Sequence, residues 1–168
     1  MLKVLIPLDG SSSSQYGVRH VVSEFMKNQN MEIHVLNVQA PFSRHVARYT
    51  SKRARKAFHL EQACKALAPA RKVFDGFGIP YTVHTEVGNK ADCIADAGSR
   101  LRCDRIVMST ARKSSLVRLV QNSVTNQVIE RTTVPVEVIS GNTAPSLERV
   151  GIPAGVGASL LVLGMVVD

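Results

Sequence analysis

The segment from Asp104 to Ile139 constrains the fold more than any other part of the chain. An apolar run, Ile106 to Met108, ends in a loop of small and basic residues. A helical pattern follows, with Leu116, Leu119, Val120, Val124, Val128 and Ile129 close to the i, i+3/i+4 spacing of one helix face. A second apolar run, Val134 to Ile139, closes the segment. Strand, polar loop, helix and strand make one βαβ unit, which is right-handed in L-polypeptides. Loops that follow such strands are where open α/β sheets bind ligands, because the next helix starts there with unpaired N–H groups.

The rest of the chain repeats this alternation. Residues 2–8, LKVLIPL, are almost continuously apolar, as in a parallel strand buried on both faces. Asp9-Gly10 turns the chain, and Ser11 to Ser14 supply helix N-cap candidates. Val18, Val21, Val22 and Phe25 then form one apolar helix face. Residues 31–38 read as the second strand, with His34 inside it as a satisfied or half-exposed strand histidine. After Pro41 the sequence predicts a loop and a helix running to about Phe77, whose inner face is Ala63, Leu67, Ala70, Phe74 and Phe77. Pro69 should kink that helix, since it lacks an N–H and crowds the preceding turn, and Gly76 and Gly78 stop it. Residues 79–87 alternate as a half-buried, edge-like strand with His84 and Glu86 turned to solvent. Asn89 caps the next helix, with Asp92 completing a weak capping box and Ile94, Ala97, Gly98 and Leu101 facing inward. The order β-α-β-α-β-α-β-α-β predicts an α/β fold, a doubly wound five-stranded parallel sheet with helices on both faces. The domain is expected to span residues 1–140. Residues 141–168 are expected to form an apolar C-terminal tail. Val150 to Val167 is uncharged and touches the lower length limit for a membrane span, yet Pro153 and its glycines weaken a helix there. Docking on the domain or on a second subunit, membrane association and a loose tail all fit it.

Two stretches carry a family resemblance. VLIPLDGSSSS resembles the opening strand and Pro-x-Asp-Gly-Ser turn of the universal stress protein family, and the Asp104–Ile139 segment resembles that family's C-terminal signature. The resemblance covers roughly residues 2 to 140. It implies strand order 3-2-1-4-5, a homodimer formed through the last strand, Val134 to Ile139, and ATP or AMP as the ligand. It also implies that Pro7 to Ser11, Val38 to Arg44 and Ser109 to Ser123 share one crevice. In it Asp9 would accept from an adenine amino group and Val38 would pack on the base. The loop from Ser109 and the turn Asn122-Ser123-Val124 would hold ribose and phosphates. Nucleotide-binding members carry G-x2-G-x9-G-[ST]. Here those positions are Ser109, Arg112, Asn122 and Ser123, and only Ser123 keeps the family residue. Glycine in such a loop permits positive φ and close backbone approach to phosphate. Ser109 and Asn122 can preserve part of that shape. Arg112 would either clamp a phosphate or fill its place, with Lys113 and Arg118 adding positive charge nearby.

Composition narrows the class of function. Lys and Arg outnumber Asp and Glu 21 to 13, which favours anionic partners such as nucleotides, phosphates, nucleic acid or acidic lipid. Between Glu32 and Glu61 there is no acidic residue, while Arg44, Arg48, Lys52, Arg53, Arg55 and Lys56 all fall there, as a solvated loop and helix or as an anion-facing edge. Aromatics are 5% and Trp is absent, which disfavours the alternative of a nucleic-acid binder that stacks bases. Cys64, Cys93 and Cys103 lie outside any CxxC spacing, against a zinc site or disulfide framework and for a reducing, cytoplasmic compartment. No GxSxG, Walker A, HExxH or paired-carboxylate motif is present. No catalytic set competes with the reading that the family resemblance implies, regulatory binding with a degenerate nucleotide site, slow ATP hydrolysis being the alternative.

Overall fold

The computed structural model describes residues 1–111 and 124–141. Five parallel strands, β1 (Leu2–Pro7), β2 (Met31–Gln39), β3 (Tyr81–Val87), β4 (Arg105–Ala111) and β5 (Val136–Gly141), pair in the order 3-2-1-4-5. The helices are α1 (Ser14–Lys27), α2 (Arg44–Tyr49), α3 (Lys52–Gly76), α4 (Lys90–Arg100) and α5 (Val124–Arg131). Alternating residues of the central strands feed two cores. Val4, Ile6, Ile33, Val35 and Val107 pack with the apolar faces of α1 and α3. Leu5, Leu36, Val38, Ile106 and Met108 pack with Ile94 and Ala97 of α4 and Val128 of α5. A strand buried on both faces needs an apolar residue at every position, which is why β1 and β2 read as unbroken runs.

Several local expectations are corrected. The helix foreseen after Pro41 is two helices, because Ser43 and Ser51 each cap a new start, accepting from the N–H groups of Val46 and Ala54. Helix α3 ends at Gly76, one residue short of the expected limit, with Pro69 inside it as read. Phe77 and Ile129, assigned to inner faces by periodicity, are 58% and 50% exposed. Asn89 caps α4 as expected, accepting from Ala91 and Asp92 N–H, but Asp92 pairs with Arg131 of α5 at 3.1 Å in place of a capping box. Ser13, one of the four candidates, is the N-cap of α1, but its Oγ meets Ser11 Oγ at 2.9 Å and caps no helix N–H; Ser11 Oγ accepts from Ser14 N–H. The last strand starts at Val136, two residues later than read, because the Pro135 carbonyl accepts from Ile106 N–H as the chain enters it. It also runs one residue past the expected domain limit, to Gly141.

His84 is the clearest correction at the β3 edge. It is half-buried, and its Nε2 lies 3.1 Å from Nδ1 of the buried His34. Glu86, also read as solvent-facing, is half-buried and pairs with Arg100. Burial, the His34 ring and the Arg100 charge hold the His84 pKa below its ordinary value, outweighing Glu86. Below about pH 6.5 the unfolded chain therefore takes up a proton that the folded chain resists. The stability from a neutral His84 is fully present above that pH and is lost as pH falls through the folded value. Urea midpoints of the wild type should drop between pH 7.5 and 5.5 more than those of His84→Gln; equal drops would show that His84 does not titrate with folding.

Arg112, Asn122, Ser123 and the apolar segment 150–167 lie outside the described residues. Among the described residues no helix is long and apolar enough to cross a membrane.

Candidate functional site

A crevice of about 130 Å³ opens where the order reverses, between the C-terminal ends of β1 and β4. Helices of successive crossovers leave the sheet on opposite faces there, so the strand ends part and leave a gap. Of the site residues expected from sequence, Pro7, Asp9, Val38, Ser109 and Val124 line this one gap. Lys90, Ile94, Met108 and Thr125 line it too and were missed. The signal for Lys90 was present. It follows the capping Asn89, and a crossover helix between parallel strands begins at their C-terminal edge.

The β1 loop is fixed from two sides. Asn37 is buried on β2, and its Nδ2 donates to the Leu8 carbonyl at 2.7 Å while its Oδ1 accepts from Gln39 Nε2. Gly10, at φ +81°, brings the turn against the backbone of Ala66 on α3. Between these anchors the Asp9 carboxylate accepts from Ser11 N–H at 3.0 Å. Partial burial pushes the Asp9 pKa up, but the Ser11 hydrogen bonds and the Lys90 ammonium outweigh it and hold the carboxyl below its ordinary value. Asp9 is therefore an ionised acceptor at the crevice mouth, and a carboxylate retains further lone pairs for a ligand. Val38, Met108, Ile94 and Val124 supply apolar wall, and Lys90 supplies positive charge.

Ser109 is committed elsewhere. Its Oγ accepts from Gly17 N–H in the first turn of α1 at 2.8 Å. The serine at the family's first glycine position thus pins α1 to β4. A second cluster, His20, Glu24 and Glu137, has metal-ligand geometry. Arg105 donates to both carboxylates and already supplies the positive charge that a cation would bring.

A parallel sheet of this order, with a half-apolar crevice and an anchored carboxylate at its switch point, defines a doubly wound α/β protein with its ligand site at the strand ends. The universal stress protein family model matches residues 1–140, and the chain belongs to that family. It is 28% identical to the universal stress protein MJ0531 of Methanocaldococcus jannaschii over 145 residues, 82% of this chain and 81% of the relative. Among solved structures it resembles the hypothetical protein MJ0577 with a TM-score of 0.65 at 22% identity, over 84% of this chain and 97% of that one. A universal stress family protein of Arabidopsis thaliana with AMP bound gives a TM-score of 0.62 at 15% identity, covering 85% and 94%. A universal stress protein in complex with cAMP gives 0.63 at 17%, covering 82% and 96%. These structural likenesses speak to the fold.

Proposed function

We propose that the protein is a regulatory nucleotide sensor, binding a nucleoside monophosphate of the AMP type in the crevice between β1 and β4 and switching without turnover. The observation that carries this reading is the ionised Asp9 carboxylate, held at the mouth of an apolar slot beside Lys90. The slot takes the base edge-on, with Asp9 accepting from its amino group and Val38 against its face. Two structural neighbours hold monophosphates, AMP and cAMP. Arg112 stands where nucleotide-binding relatives have a glycine, and a guanidinium there would favour one phosphate over three. Ser109 is bound to α1, and Asn122 and Ser123 would hold the sugar-phosphate. The three unpaired thiols fit a reducing compartment.

We read the functional unit as a homodimer through β5. That strand has one sheet neighbour, and its Val138 is 43% exposed, as an edge awaiting a partner would be.

Calorimetric titration tests the site. AMP should bind as well as ATP or better, and Asp9→Ala should weaken it by roughly 1.5–3 kcal/mol, the worth of a hydrogen bond to a charged group. Unchanged affinity in the variant removes Asp9 from the site, and clear preference for ATP removes the monophosphate reading. Sedimentation of the same samples reads the dimer directly; a monomer throughout the titrated range would exclude it.

A further inference from the structure

A second cavity, of about 570 Å³, lies away from the crevice, between α2, the start of α3 and the outer end of β3. Its size falls within the roughly 300–1,000 Å³ of small-molecule sites. Its inner wall is Phe42, Ala47, Leu60 and Val87, and Leu60 and Val87 are both exposed. Lys52 and Lys56, one turn apart on α3, stand on its rim, and among the described residues no carboxylate lines it. Among the described residues neither lysine has an ion-pair partner. Arg55 is used differently: its Nη1 donates to the carbonyls of Ala47 and Thr50 at 2.6 Å and ties the end of α2 to α3. His59 lies on the wall with a buried Nδ1 that has no hydrogen-bond partner among the described residues.

We propose that this cavity is a binding site for a single-chain anionic amphiphile of the fatty-acid class. The hydrocarbon enters the apolar hollow and the carboxylate sits at Lys52 and Lys56, within the basic stretch that has no acid between Glu32 and Glu61. The chemistry of the wall selects this occupant. A nucleotide would bring a polar base and ribose into a hollow that, among the described residues, offers a single hydroxyl, that of Thr85. A neutral hydrocarbon would leave the two ammonium groups on the rim unmet. A bilayer surface would contact an outer face and leave the concave wall unfilled.

Titration of the full chain with cis-parinaric acid, a fluorescent acyl acid, tests the site. Saturable one-to-one binding is expected, displaced by palmitic acid and not by hexadecanol. Lys52→Glu with Lys56→Glu should weaken it at least roughly tenfold, the scale of one lost charge-assisted contact. Ala47→Phe, which fills the hollow, should do the same, and Asp9→Ala should leave it unchanged. Thermal melts of each variant separate lost binding from lost folding. Absence of saturable binding, equal displacement by acid and alcohol, or wild-type affinity in both cavity variants overturns the proposal. So does binding to phosphatidylglycerol vesicles with none to the monomeric acid, which would make this face a membrane contact.

Discussion

Gly10→Ala is expected to destabilise the protein by about 2–5 kcal/mol and to abolish binding in the β1–β4 crevice. Two costs add. At φ +81° an L side chain meets the left-handed penalty, on the order of 1–2 kcal/mol. The new Cβ would also lie 2.9 Å from Ala66 Cα and 3.3 Å from its carbonyl oxygen, both backbone atoms of α3. Backbone inside a helix cannot step aside, so the turn must lift or α3 must shift, an overpacking cost of about 1–3 kcal/mol. Lifting the turn carries Asp9 away from Lys90 and the apolar wall, so the stability loss and the binding loss share one cause. Gly78→Ala is the matched control. Its φ is +64°, but nothing lies within 4 Å of the added Cβ, so it bears the left-handed penalty alone. Urea unfolding of both variants, with AMP titration of each at a temperature where it is folded, separates the terms. If Gly10→Ala costs no more than Gly78→Ala and still binds, the contact with Ala66 does not set the position of the site.

Phe74→Ala should cost about 3–5 kcal/mol, the range for emptying an aromatic site in a packed core. Phe74 is fully buried in the core shared by α1, α3 and the sheet, and its ring lies 5.2 Å from that of Tyr81 on β3. Its backbone carbonyl also accepts from Ile79 N–H, where the chain leaves α3 for β3. The void would therefore open at the joint that sets the β3 edge. Against a total stability of about 5–15 kcal/mol, this variant is near the limit of folding. Phe77→Ala, three residues on, should change stability by no more than about 0.5 kcal/mol, since that ring is exposed. Denaturant midpoints at unchanged m-value check both. Equal effects would mean that the end of α3 is turned differently from the structure described.

The contrast between Phe74 and Phe77 shows what kind of information the sequence held. Hydrophobic periodicity found every strand of the sheet and the buried faces of α1 and α4, because an element that packs on both sides must be apolar at nearly every turn of its repeat. The same pattern put Phe77 and Ile129 inside. Periodicity gives a side chain's direction on its own helix and carries no information on where the opposing layer stops. Capping was local enough to read at Asn89. At Ser11–Ser14 it named the right stretch and not the residue, because four adjacent hydroxyls compete and the path of the turn selects Ser13.

The alternation of strands and helices, the continuous burial of β1 and β2, and the Asp9-Gly10 turn were determined by the sequence alone, because each depends on neighbours within a few residues. The Pro-x-Asp-Gly-Ser turn and the Asp104–Ile139 segment also carried the family resemblance. Tertiary structure alone decided what surrounds Asp9. Lys90 lies 81 positions away and meets it because the third crossover sets α4 on the face opposite α3. Ser109 is bound to Gly17 for a similar reason, since α1 packs across β4. The His34–His84 pair depends on the β2–β3 register, which places Leu36 opposite His84 and His34 one repeat away. The basic stretch from Arg44 to Lys56 was legible as charge; only the packing of α2 against α3 and β3 gave it a hollow to surround. Long-range placement depends on how layers pack, and the spacing of residues along the chain does not encode it.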